Sequence, residues 1–224
     1  MPHIEIQIDS DTVAALRTSQ YSLRVLKAVA TSATDALPTL WMVVPPQAIG
    51  ANTGVSWDDQ YGAYSSTNPA PPKKTSVIKV PGWTSIGLGQ AATIVPSGRI
   101  SVGGPGISGT ITIGGSSQSV AGVTQLGGGQ MNPIIALSLP KDGSLTTITP
   151  LEKVLLWFDL PRQTPFIGQI QTTAPQIAVF IDLARGDAPS VTYNINSGWG
   201  SNSARLIVQG QDLRSLLILP AFSP

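Results

Sequence analysis

The stretch Ile4-Glu5-Ile6-Gln7-Ile8 sets three isoleucines two residues apart with polar side chains between them. Period two is the spacing of a strand with one buried face, and a helix would scatter these residues around its axis. The same alternation extends along the chain. From Tyr21 the odd positions Tyr21, Leu23, Val25 and Val29 face one way, with Ser22 and Arg24 opposite. Further β runs are expected at 39–44, 75–80, 109–113, 133–139, 152–159, 176–183, 190–195 and 204–208, separated by turns rich in Gly and Pro. Two of them, 40–44 and 151–159, are apolar on both faces, as in a strand covered from two sides, with Glu152 and Lys153 read as solvated at the entrance of the second. One helical turn is expected at 11–16, capped by Ser10 or Asp11. The fold class is therefore all-β: an antiparallel β-sandwich or partly closed barrel with one short N-terminal helical turn. The Gly/Ser-rich stretch 103–129 resembles a linker, but Thr110-Ile111-Thr112-Ile113 alternates within it, so it reads as hairpins and residues 1–224 as a single all-β domain.

Composition narrows the function. A chain of 224 residues buries roughly 70% of its unfolded surface and needs no staples. It has no cysteine, which removes disulfides, thiolate metal sites and cysteine nucleophiles. Charged residues make up 11%, and the net charge of +1 gives little steering towards nucleic acid or anionic membranes, so no nucleic-acid partner is expected. The start Met1-Pro2-His3 lacks a basic segment followed by an apolar run, and no Asn-x-Ser/Thr acceptor occurs. A cytoplasmic protein, or one released without a signal peptide, is expected. No apolar run approaches the 18 residues of a transmembrane segment.

Several motifs fail on inspection. Gly104-Pro105-Gly106-Ile107-Ser108-Gly109 matches the dinucleotide fingerprint, but a strand pattern follows where a helix must bind pyrophosphate, and Pro105 removes a donor. His3 is the only histidine, and it stands at a strand start, so a Ser–His–Asp triad would need a terminal residue. With one His and no Cys, only an oxygen-ligated metal site is conceivable, and none is expected. Asp58 and Asp59 are adjacent and point to opposite faces of a strand, which is wrong for a glycosidase pair. No catalytic residue is assigned, and a non-enzymatic protein is expected.

The aromatic clusters carry the functional reading. Within Ser56-Trp57-Asp58-Asp59-Gln60-Tyr61-Gly62-Ala63-Tyr64, residues Trp57, Asp59 and Tyr61 share one strand face, and Tyr64 lies beyond Gly62, nearer a loop. Trp57 reads first as a core aromatic, Tyr61 can be one too with its hydroxyl partnered, and Tyr64 is the better ligand-facing candidate. In Gly198-Trp199-Gly200-Ser201-Asn202 the flanking glycines let the Trp ring stand out, or plug the end of a sandwich, while Asn202 offers hydrogen bonds. The candidate ligand-binding residues are thus Trp57, Asp59, Tyr61, Tyr64, Trp199 and Asn202.

The Ile-Glu-Ile-Gln-Ile start, Tyr21–Val29, Ser56-Trp57 with Tyr61, Ser101–Pro105 with Gly109–Ile113, and Thr149–Phe158 resemble the framework of small leaderless β-sandwich proteins of mushrooms and other fungi. In size the chain is also similar to the pink chromoproteins of oyster mushrooms, which hold an indolone-type pigment. The resemblance implies a small-molecule carrier, with a pigment-like aromatic chromophore as its bound cofactor. A lectin using loop Trp/Tyr with Asp/Asn is the alternative. A membrane-acting cytolysin, disfavoured by the short helix, and a storage protein complete the set.

Overall fold

The structure is a computed structural model that describes residues 1–74, 76–115, 118–160, 166–185, 191–201 and 204–221. Alternating apolar runs of the first half form β1 (His3–Ile8), β2 (Ser22–Thr31), β3 (Leu37–Pro38), β4 (Leu40–Val44), β5 (Asn52–Pro69) and β6 (Trp83–Ile86). The middle of the chain gives β7 (Gln90–Ile94), β8 (Ile100–Pro105), β9 (Ile111–Gly115), β10 (Ser119–Gly127), β11 (Gln130–Pro133) and β12 (Ile135–Ala136). The last third gives β13 (Thr146–Asp159), β14 (Ala178–Asp182), β15 (Val191–Asn194), β16 (Gly198–Ser201), β17 (Arg205–Ile207) and β18 (Ile218–Pro220). Two helices, α1 (Ser10–Thr18) and α2 (Arg214–Leu217), accompany them.

One sheet runs β11-β10-β5-β1-β15-β16 with β6 also on β5; the other runs β17-β14-β13-β9-β7-β8, with β2 on β13 carrying β4 and β18. Most pairings are antiparallel, but β1/β15, β7/β9 and β2/β18 are parallel, so the sheets are mixed, and neither closes into a barrel. The main core lies between the sheets, where Ile4, Ile6, Val55 and Trp57 of the first meet Val25, Trp41, Val154 and Phe158 of the second. Each such side chain stabilises the fold by roughly 1.5–3 kcal/mol.

Two further layers explain the strands that are apolar all round. On the outer face of the larger sheet, Leu26, Leu155 and Trp157 pack under Leu213 and Leu217 of the C-terminal segment. On the outer face of the smaller sheet, Tyr64 and Val120 are covered by Leu37 and Ala136 of the β3–β12 pair. The expectation that 40–44 and 151–159 are covered on both sides holds for this reason.

Three local readings are corrected. The helix extends beyond one turn to nine residues, and its cap is Asp9, whose carboxylate accepts the Thr12 N–H at 2.8 Å, rather than Ser10 or Asp11. Residues 76–80 form no ladder: Val77 makes an isolated bridge with Gln169, Ile78 N–H donates to the Gly168 carbonyl, and prolines at 71, 72 and 81 remove donors on either side. The 109–113 run starts at Ile111, because Gly109 turns with φ of 73°. Residues Thr75, Ser190 and Asn202 lie outside the described residues.

Candidate functional site

The structure brings Trp57, Asp59 and Tyr61 together and places Tyr64 and Trp199 elsewhere. Along β5 the pairing with β10 slips: Tyr61 opposes Gln125, whereas Trp57 opposes Gly127, so four residues on β5 match two on β10. This irregularity puts Asp59 in solvent while Trp57 and Tyr61 stay buried, which corrects the shared face expected for all three. Gln125 satisfies the slipped backbone by donating its side-chain amide to the Asp58 carbonyl at 3.0 Å. The Tyr61 hydroxyl still reaches outward and donates to Asp59 Oδ1 at 3.0 Å.

Lys27 lies at the centre of this cluster. It occupies an odd position of β2, on the face that carries Val25 and Val29, and its side chain is fully buried. The ammonium sits 3.3 Å from Glu152 Oε1, 4.2 Å from the centroid of the Trp57 ring and 5.4 Å from that of Trp41. Trp57 Nε1 donates to the other Glu152 oxygen at 3.1 Å, Trp41 Nε1 donates to the Gln125 carbonyl at 3.1 Å, and the two indoles meet edge to face. Glu152 is presented by a second register shift, where β13 loses step with β2 between Pro150 and Val154. Two positions read as solvated are therefore corrected: Glu152 and Lys153 are ion-paired, the latter to Asp182 at 2.9 Å.

Electrostatically the cluster is under tension. Burial pushes the Lys27 pKa from 10.5 down to about 8, although Glu152 and, more weakly, Asp59 favour its charge. Burial, with Asp59 and Glu152 adding to it, raises the Tyr61 hydroxyl well above its ordinary value, so it stays a proton donor. A cation between two indole faces is attracted by their quadrupoles, and this offsets part of its lost hydration.

The remaining candidates are packed into the fold, Tyr64 wholly and Trp199 with only a residual edge on a groove. Tyr64 is mid-strand rather than near a loop, fully buried, and donates to the Ile135 carbonyl at 2.6 Å, which makes it part of the outer layer under β12. Trp199 lies in β16 and is 7% exposed, stacked on Phe158 at 5.4 Å and tilted against Tyr193 at 4.8 Å; it closes the end of the sandwich rather than standing out. Trp83, 46% exposed and lying across Gly62, was not singled out by the sequence; its place on an edge strand follows from pairing with β5.

Two concave surfaces stand apart from the Lys27 cluster. A groove of about 640 Å³ runs between β1, β5, β15 and β16, walled by Gln7, Asp9, Asn52, Tyr193, Asn194 and Trp199. Asp9 and Asn194 are fixed there by a 2.9 Å hydrogen bond, while Gln7 and Asn52, cross-strand neighbours, are exposed. A cleft of about 930 Å³ lies between the end of β2 and the C-terminal segment, with Ile107, Ile218 and Leu219 as apolar walls and Asp212 and Arg214 as its charged groups. No helix among the described residues is long and apolar enough to cross a membrane. No known protein family, curated protein or solved structure matches this chain.

Proposed function

We propose that this is a non-enzymatic binding protein whose ligand is a glycan held in the groove at Trp199. The observation that carries this reading is the groove's wall: amides of Gln7 and Asn52, the Asp9–Asn194 pair and the aromatic residues Tyr193 and Trp199 share one open concavity. A sugar ring alternates hydroxyls with apolar C–H faces, and amides beside aromatic side chains match that alternation. The Asp9–Asn194 bond also links the start of α1 to β15, so the polar wall is pre-organised. The test is a glycan array followed by calorimetric titration of the retained sugar against the wild type and Asn52→Ala. Retention by the wild type, weakened in the variant, supports the reading; equal retention by both overturns it.

A second reading, a carrier of a pigment-like aromatic molecule, is favoured by the apolar-walled cleft beside Arg214, whose volume lies within the usual range for small-molecule sites. The Arg214 guanidinium is anchored on the Thr34 and Ala36 carbonyls, which would fix a polar end of such a ligand. Native mass spectrometry with a visible spectrum, on protein from its own source beside recombinant protein, separates the two. Extra mass with visible absorption supports the carrier, and identical masses with only Trp and Tyr absorption count against it.

A further inference from the structure

The polar side of the Trp199 groove is a row of residues that crosses four strands in register. Asn52 of β5 stands opposite Gln7 of β1, Gln7 beside Thr192 of β15, and Thr192 opposite Gly200 of β16. Ile4, Ile6 and Ile8 take the inner face of β1, so Gln7 and its cross-strand neighbours point away from the core. Asn52, Gln7 and Thr192 are accordingly exposed. A second row runs alongside, where Asp9 is bonded to Asn194 at 2.9 Å and Asn194 pairs with Gly198. Both rows line the groove.

Among the described residues both ends of the row are open. β10 joins β5 only from Trp57 onward and β6 only from Tyr61, so no strand continues the row beyond Asn52. At the other end β16 is the last strand of its sheet, and both of its positions in these rows are glycines. A Cβ on Gly200 would stand 2.5 Å from Thr192 Oγ1, and one on Gly198 would meet nothing within 4 Å. The last strand is therefore a bare floor.

The chemistry along the row is polar and uncharged. The Asn52 and Gln7 amides make no hydrogen bond among the described residues, and the Thr192 hydroxyl makes only a long one, 3.4 Å to the Gly200 carbonyl. Asp9 is the single charged residue of the lining, and the Thr12 N–H holds its carboxyl below the ordinary range. An acidic sugar would meet that carboxylate and no cation. Neighbouring strands lie about 4.8 Å apart, so the row spans roughly 14 Å, more than one sugar ring covers. Resting on the glycan reading above, we infer that the groove takes an internal stretch of a neutral, linear polysaccharide laid across the strands, the chain leaving at both open ends.

The test is calorimetric titration of the full chain with cello-, laminari- and N-acetylchito-oligosaccharides of increasing length, as free sugars and as methyl glycosides. Trigalacturonate serves as the acidic counterpart. One neutral series should bind about tenfold more tightly as the trimer than as the monosaccharide, with no effect of the methyl group. Trigalacturonate should bind at least about tenfold more weakly than that trimer. Thr192→Val, which keeps the shape of an exposed side chain, should lower trimer affinity about fivefold with the unfolding midpoint unchanged. Equal affinity for monosaccharide and trimer, or loss of binding on methylation, overturns the inference while glycan binding stands. Retention of only branched or acidic glycans does the same. Trimer binding untouched by both Thr192→Val and Asn52→Ala places the sugar elsewhere and overturns it too. If no sugar is retained at all, the glycan reading falls and this inference falls with it.

Discussion

Replacing Lys27 by Met is expected to stabilise the protein at neutral pH and to abolish part of its pH dependence. The unfolded chain keeps the Lys27 proton up to about pH 10.5, whereas the folded protein releases it near 8. Below pH 8 both states are protonated, and the fold carries the full penalty of a buried cation. Between those values the unfolded state binds more protons, so stability rises with pH. A shift of this size corresponds to about 3 kcal/mol at 1.36 kcal/mol per pH unit. Met fills similar volume with no charge, but it gives up the contacts to Trp57 and Trp41 and leaves Glu152 Oε1 without its cation. Glu152 tolerates this, because its side chain is 34% exposed and keeps the Trp57 N–H. The net gain expected at pH 7 is about 1–3 kcal/mol, within the range known for replacing buried ion pairs by apolar residues. The assay is urea unfolding by far-UV circular dichroism from pH 7 to pH 10 for both proteins. The difference in unfolding free energy between them should shift by roughly 3 kcal/mol over that interval, in favour of the wild type. A variant less stable by 2 kcal/mol or more at pH 7, or a difference that does not move with pH, refutes the account of Lys27 as a strained core cation.

Other expectations follow from the same geometry. Glu152→Gln leaves Lys27 without its counter-charge and should cost about 2 kcal/mol at pH 7, measured by the same unfolding curves. Tyr64→Phe removes the 2.6 Å bond to the Ile135 carbonyl and should cost about 1–2 kcal/mol with no change in glycan retention. Gly127→Ala sets a methyl 2.6 Å from Met42 Sδ and 2.7 Å from the Trp41 ring, and should lower the thermal midpoint through overpacking worth about 1–3 kcal/mol. Trp199→Ala should cost about 3–5 kcal/mol, because the ring is packed on Phe158, so it is unsuited to testing the groove. Asn52→Ala, on an exposed side chain, should leave the midpoint unchanged while lowering glycan affinity in the calorimeter.

The sandwich was legible because alternation is a local property. Ile4, Ile6 and Ile8 all reach the main core, and the two-sided apolar run of β13 correctly announced a strand covered twice. The Lys27 cluster was legible only in part. Val25 and Val29 define an inward face, and the residue between them on that face is a lysine, a polar residue where the pattern demands an apolar one. That break in the alternation was the available signal. Its partner was hidden, because Glu152 reaches the cluster only through the register shift that follows Pro150, and such slips depend on how two strands meet. Asp59 was misplaced for a similar reason, since regular alternation predicts a shared face that the slip between β5 and β10 abolishes. Tyr64 was misread because the layer burying it comes from β3 and β12, which are distant in the chain.

The position of Lys27 has an optical consequence. Its charge lies 4.2 Å from the Trp57 ring, close enough for the electric field on that indole to change when the proton leaves near pH 8. Trp41 feels the same field from 5.4 Å, whereas Trp83, 46% exposed, lies outside the cluster. The emission of the folded protein should therefore carry a titration of its own interior, visible as a spectral shift without unfolding and absent in Lys27→Met. The molecule contains a voltmeter for its core.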